Sequence, residues 1–157
     1  MSVASHRLAA VLRRVPRLLQ AAYYVYRFFQ PKYTVGVVGI VFNDARQVLL
    51  VEHVFHPRLP WGLPGGWVDF NEDPSQAVVR ELREELGLTV CDQQIIHAEK
   101  TQFHHLDMAY TCRVDNDVNT LSRELLSYRY WPLDQLPRLH GFQYRAIMRA
   151  SEGIQPS

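Results

Sequence analysis

Residues 66–88 read Gly66-Trp67-Val68-Asp69-Phe70-Asn71-Glu72-Asp73-Pro74-Ser75-Gln76-Ala77-Val78-Val79-Arg80-Glu81-Leu82-Arg83-Glu84-Glu85-Leu86-Gly87-Leu88. The stretch predicts a helix beginning at Pro74. Asp73 is suited to the N-cap, Pro74 to the first helical position, and Gln76 completes an Asp-x-x-Gln capping box. Gly87 is suited to a left-handed stop. At 100° per residue Val78, Val79, Leu82 and Leu86 form an apolar face, with Glu81, Glu84 and Glu85 on the opposite side. These three glutamates stand at i, i+3 and i+4, where like charges each cost roughly 0.2–0.5 kcal/mol. They also occupy the end of the helix whose dipole favours cations. Arg80 brings one positive charge to three negative ones, so the pattern calls for a further cation.

Upstream, Trp61-Gly62-Leu63-Pro64-Gly65-Gly66-Trp67 reads as a glycine loop whose main chain can approach a ligand closely. Carbonyls of such a loop can join carboxylates around a hard cation such as Mg2+, which shares its oxygen ligands with substrate phosphates.

The whole window resembles the Nudix box, Gly-x5-Glu-x7-Arg-Glu-U-x-Glu-Glu-x-Gly-U, with U a bulky aliphatic residue. Gly66, Glu72, Arg80, Glu81, Glu84, Glu85 and Gly87 match its fixed positions, and Leu82 and Leu88 its aliphatic ones. The resemblance implies an α/β/α sandwich around a mixed sheet. It implies metal ligation by Glu81, Glu84 and Glu85, joined by the Gly65 carbonyl, with one glutamate activating water. It also implies that Arg80 orients the glutamate beside it, that Gly66 borders the substrate and that Glu72 is an outer partner. The cofactor implied is Mg2+, with Mn2+ as a substitute. Asn71 departs from the glycine found there in many members, and asparagine tolerates the same left-handed backbone. Trp131-Pro132-Leu133-Asp134-Gln135-Leu136-Pro137 resembles the late strand and Leu-Pro turn of the family.

The expected activity is a pyrophosphohydrolase cleaving the diphosphate bond of a nucleoside diphosphate linked to another moiety. Two alternatives stand beside it, a nucleotide-sensing or protein-binding module without turnover and an isomerase of the isopentenyl-diphosphate type. Glu124, before the late strand, is a candidate additional catalytic carboxylate, and Arg58, before the glycine loop, a candidate phosphate ligand. His53, His56, His104 and His105 could touch phosphate or base, and Trp61, Trp67 and Trp131 could stack on a base. For each, an ordinary surface or core role is the competing reading.

Composition fits one enzyme domain. The chain has 157 residues and a formal net charge of +1, which gives no whole-chain bias towards nucleic acid. Cys91 and Cys112 are too few for a disulfide scaffold and fit a reduced, cytoplasmic protein. Tyr33 to Phe42 and Gln47 to Val54 read as strands of a hairpin turning at Asn43-Asp44-Ala45-Arg46. Leu106 to Val114 alternates as a half-buried strand with Cys112 inward, Arg113 to Glu124 is a loop, Ser127 to Trp131 a strand and Gly141 to Ala150 a closing helix.

The expected organisation is a helical extension at 1–30, the catalytic domain at 31–152 and a tail at 153–157. Residues 1–43 carry Arg7, Arg13, Arg14, Arg17, Arg27 and Lys32 but no aspartate or glutamate. Leu8, Val11, Leu12, Val15, Leu18, Leu19, Ala22, Tyr26 and Phe29 recur at helical spacing, with Pro16 dividing one helix from the next. Three readings stay open for 1–30: packing on the domain or on a second copy in a homodimer, peripheral membrane contact, and targeting.

Overall fold

The computed structural model describes residues 16–55 and 57–153. The chain divides into two compact units, 1–32 and 33–157. In the first, α1 spans Pro16–Phe28. It begins at the proline expected to start a helix. Tyr23, Tyr24, Val25, Tyr26 and Phe28 are exposed on it, as is Phe29 just past its end. Lys32 Nζ lies 5.9 Å from the Phe28 ring centroid. The periodic positions Leu8, Val11, Leu12 and Val15, the basic residues Arg7, Arg13 and Arg14, and residues 154–157 of the expected tail lie outside the described residues.

The second unit is a mixed α/β domain. Its strands are β1 (Thr34–Ile40), β2 (Val48–His53), β3 (Trp61–Gly62), β4 (Gly65–Trp67), β5 (Val90–Gln102), β6 (His105–Val114) and β7 (Leu125–Trp131). Its helices are α2 (Pro74–Leu86) and α3 (Gly141–Glu152), with a 3-10 turn at Leu133–Gln135. The strands form two sheets, ordered β4-β1-β6-β5 and β3-β2-β7. The first is mixed, since β1 runs parallel to β6 and antiparallel to β4.

The hairpin expected of β1 and β2 is therefore corrected. Its turn forms, with Arg46 N–H donating to the Asn43 carbonyl at 2.9 Å, but the strands share one bridge, Phe42–Val48, and then part. The glycine loop separates them. Its first half pairs with β2 as β3 and its second half with β1 as β4.

Both strands are buried on two faces, so their alternate residues feed two cores. Val37, Val41, Leu49 and Val51 join Val78, Leu82 and Leu86 of α2. Val38, Ile40, Val48 and Leu50 join Phe142, Ala146 and Ile147 of α3. Each fully buried aliphatic side chain contributes roughly 1.5–3 kcal/mol, so the helices are held on opposite faces mainly by this burial. Cys112 is buried in the α2-side core, as its place in the alternation requires, and burial pushes its thiol up to about 12.

Candidate active site

The site begins with α2, which starts at Pro74 and stops at Gly87 with φ 66°. The Asp73 side chain makes no cap bond, which corrects the expected capping box. The Gln76 and Ala77 amides instead bond the Asp73 carbonyl at 2.8 and 2.9 Å, so the donor the side chain would have taken is already used. Asn71 has φ 64°, the left-handed backbone that asparagine tolerates. At the other end, the loop after β6 satisfies the last carbonyls of the helix. Ser122 N–H donates to the Glu85 carbonyl at 2.9 Å and Asn119 N–H to that of Leu86 at 3.1 Å. Asn116 Nδ2 donates to Gly87 O at 2.8 Å. This docking brings exposed Glu124 near Glu85, whose carboxyl feels its charge.

Arg80 organises the charged face. Its Nε and Nη2 grip Glu72 as a fork at 2.9 Å each, Nη1 donates to Glu81 at 2.8 Å and Glu84 at 3.4 Å, and Nη2 also reaches the Trp67 carbonyl at 3.0 Å. Hydrogen bonding to Arg80 lowers the Glu72 carboxyl to about 2. Glu81 is raised, because its desolvation outweighs the bond from Arg80.

Glu85 does not lie on an open face with Glu81 and Glu84, as the helical projection suggests. It is buried, 8% exposed, beneath the glycine loop. Gly65 N–H donates to its Oε2 at 2.9 Å. Burial, reinforced by the Glu81 and Glu124 charges, pushes its carboxyl up to about 8. The imbalance of charge visible in the sequence is thus concentrated on one buried carboxyl that Arg80 does not touch.

Gly65 has φ 149°, and a Cβ there would collide with the Val37 carbonyl and lie 2.8 Å from Val38 Cα. A Cβ on Gly66 would lie 2.6 Å from Glu81 Cδ. In this antiparallel pair the bonds Val68 N–H to Val35 O and Gly39 N–H to Pro64 O, 2.9 Å each, occupy alternate register positions. Gly65 falls between them, so its carbonyl, like its amide, turns away from β1.

Among the described residues, no three carboxylate, imidazole or thiol side chains are already gathered into a cation-holding group. The donor chemistry nevertheless fits a hard divalent cation, with carboxylates from Glu81, Glu84 and Glu85 and the outward-turned Gly65 carbonyl. A cation there would supply the counter-charge that Glu85 lacks.

The other expected residues are distributed around this core. Arg58 is exposed beside Phe55, Leu59 and His140 in a cavity of about 400 Å3. Trp61 packs edge-on against Trp131, with centroids 5.4 Å apart, whereas Trp67 is 61% exposed and lies against the His105 ring at 4.7 Å. His104 turns the β5–β6 hairpin with φ 57°. His53 sits beside Gly62, and His56 lies outside the described residues. Behind the glycine pair, on the α3 side, two adjoining cavities of about 190 and 380 Å3 share His105, Asp107, His140 and Gln143. The alternation of β6 marks Asp107 only as its outward phase, and Thr101 lies in β5, a strand too polar to stand out in the sequence.

The geometry defines a mixed α/β domain in which a carboxylate-bearing helix lies beneath a glycine loop. The chain belongs to the NUDIX domain family, whose model matches residues 32–150. It is 45% identical over 64 residues to the RNA pyrophosphohydrolase of Acinetobacter baylyi, covering 40% of this chain and 37% of that protein. The chain spans less than half the length of the curated relatives it matches. Its fold matches the MutT NUDIX hydrolase of Burkholderia pseudomallei at TM-score 0.67 and 24% identity, over 75% of this chain and 98% of that one. It also matches an ADP-ribose pyrophosphatase of Streptococcus suis at TM-score 0.63 and 26% identity, over 82% and 97%.

Proposed function

We propose that this protein is a divalent-metal-dependent pyrophosphohydrolase acting on the diphosphate bond of a nucleoside diphosphate linked to another moiety. The observation that carries the reading is Glu85. A carboxyl buried against a glycine loop, next to Glu81 and within the field of Glu124, holds its proton unless a cation stabilises its ionised form. The names of the similar proteins, an RNA pyrophosphohydrolase and an ADP-ribose pyrophosphatase, support the same bond class. The intact box favours turnover over a sensing role.

Glu81, Glu84 and Glu85 would hold the metal with the Gly65 carbonyl. When bound, Mg2+ or Mn2+ neutralises the diphosphate, polarises the attacked phosphorus and lowers the pKa of water. The chain's own residues do the rest. Arg80 fixes Glu81 and Glu84 while anchored on Glu72 and the Trp67 carbonyl, so the helix face and the loop keep one geometry. A glutamate of the box, or Glu124, accepts a proton as water attacks phosphorus, the anhydride P–O bond breaks and the second phosphate departs. The missing Cβ of Gly66 leaves room for the Glu81 carboxylate, and Gly66 and Arg58 are suited to border the substrate, Arg58 at an outer phosphate. A screen of diphosphate compounds with Mg2+ or Mn2+ tests the reading. Release of phosphate-bearing products that stops in chelator supports it, and metal-independent turnover refutes it.

Residues 31–152 form the catalytic domain in this reading, and the two thiols suit a cytoplasmic setting. Residues 1–30 are suited to association. α1 exposes Tyr23, Tyr26 and Phe28, its charged side chains are Arg17 and Arg27, and no described helix is long and apolar enough to cross a membrane. Contact with an anionic membrane surface accounts for both features. A homodimer through the same exposed aromatic side chains is the second reading, and vesicle sedimentation with light scattering separates them.

A further inference from the structure

The cavities behind Gly65 and Gly66 form one cleft, because they share residues of β1, β6 and α3. One end is walled by the glycine pair, whose other side bears on Glu85 and Glu81. The far chamber holds about 380 Å3, within the range of roughly 300–1,000 Å3 that houses small ligands. On the reading that the diphosphate sits at the glycine pair, one substituent of the substrate enters this chamber. The chemistry of the chamber then selects the substituent.

The one arginine lining the chamber is engaged. Arg145 binds Glu99 through three contacts of 2.7–3.1 Å. The chamber therefore offers little to a further phosphate. Its floor instead presents Asp107. Thr101 Oγ1 donates to Asp107 Oδ2 at 2.5 Å, and His105 Nε2 lies 3.1 Å from Oδ1. His105 Nδ1 is 2.8 Å from the Thr34 hydroxyl. The Thr34 hydroxyl also lies 3.2 Å from the His104 carbonyl, and His105 donates to Asp107 in the form that carries its proton on Nε2. Each carboxylate oxygen keeps lone-pair capacity for another donor, and its two neighbours fix its orientation. Gly36, on the facing strand, leaves the space for this arrangement: a Cβ there would lie 2.7 Å from Asp107 Oδ1.

Two further groups complete the cleft. Gln143 Oε1 accepts the Leu63 N–H at 3.1 Å, so its amide nitrogen is the end left to donate. Trp67 presents an indole that is 61% exposed, a face on which an aromatic ring can stack.

We propose that this cleft is a guanine subsite in which Asp107 is the specificity-determining residue. A carboxylate whose two oxygens, each already holding one partner, keep a second acceptor site matches two adjacent N–H donors. Guanine carries such a pair in its ring N1–H and exocyclic N2–H2, with a neighbouring carbonyl for the Gln143 amide. Adenine and cytosine each place a ring nitrogen lone pair beside their amine, which would face a carboxylate oxygen. Uracil has a single N–H between two carbonyls. Thr101 and His105 are positioning residues that act through Asp107.

The test uses the full chain with GMP, AMP, CMP and XMP as probes. Binding is measured by calorimetry without metal, and kcat/KM with Mg2+ is measured on the matching nucleoside diphosphate derivatives. Wild type should bind GMP roughly tenfold or more above the others, since mismatched bases leave buried polar groups unpaired. Asp107→Asn replaces one acceptor by a donor, so its preference should move from GMP towards XMP, whose ring carries a carbonyl in place of the amine. A merely structural residue would not produce that reversal. Thr101→Val, which keeps its volume but releases one oxygen of Asp107, should reduce the guanine preference without reversing it, and reports on the subsite if the first variant folds poorly. Hydrolysis that proceeds with no base preference, or an unchanged GMP to XMP ratio in a folded Asp107→Asn, overturns the subsite while leaving the hydrolase reading intact. GMP-selective binding without turnover of any diphosphate overturns the hydrolase reading and leaves the subsite standing.

Discussion

In the metal-free protein, stability should fall as pH rises from 5 to 8, and Glu85→Gln should remove the fall. Burial raises the Glu85 carboxyl from 4.5 to about 8, assisted by Glu81 and Glu124 and opposed by the Gly65 N–H. The unfolded chain holds this group near 4.5. Between these values the native state keeps a proton that the unfolded state has lost, so stability is present at the acid end and lost as pH climbs through the folded pKa. At about 1.4 kcal/mol per pH unit, the whole difference corresponds to roughly 4–5 kcal/mol, of which about 3–4 is lost between pH 5 and 8. For a domain of this size each kcal/mol moves Tm by about 2–4 °C, so Tm should drop by roughly 6–16 °C. Glutamine keeps an acceptor for Gly65 and does not titrate, so its profile should be flatter by that amount and lie above wild type at pH 8. The assay is a series of circular-dichroism melts in chelator at four pH values. Parallel profiles for the two proteins, or a wild type that gains stability with pH, would refute the burial argument.

Other expectations follow from the same geometry. With Mg2+ present, Glu85→Gln should lower kcat by a factor of about 10²–10⁴ while circular dichroism stays native, and an unchanged rate would remove Glu85 from the chemistry. Gly65→Ala should destabilise by roughly 1–3 kcal/mol in denaturant melts, because its Cβ meets the Val37 carbonyl at φ 149°; a neutral result would contradict the close approach of β4 to β1. A chain starting near Gln30 should keep its metal-dependent rate but lose association, either with anionic vesicles in a salt-sensitive way or with a second copy by light scattering. Unchanged mass and vesicle behaviour would make the segment a dispensable tail.

The box helix was legible because several independent signals agree between Asp73 and Leu88: a proline start, a glycine stop and apolar residues at helical spacing. The β1–β2 pairing was not. Its turn is local, but the partners of each strand are chosen by the glycine loop that enters between them. β5 escaped notice because Asp92, Gln93, Gln94, Glu99 and Lys100 give it little apolar alternation, and its pairing with β6 shifts register at three places. The helical projection puts Glu81, Glu84 and Glu85 on one side of the helix but cannot show that a loop covers the last of them. Asp107 carried no signal beyond its phase in β6, since its partners are Thr101 across the β5–β6 hairpin and His105 two residues before it.

The central claim is attack of water on phosphorus under control of the box glutamates. Turnover of the best diphosphate substrate in ¹⁸O-labelled water, with Mg2+ and then with chelator, tests it most directly. The account predicts label in a phosphate-bearing product, with turnover abolished by chelator and strongly reduced in Glu85→Gln. Label confined to a non-phosphorylated product, or equal turnover in chelator, would contradict it.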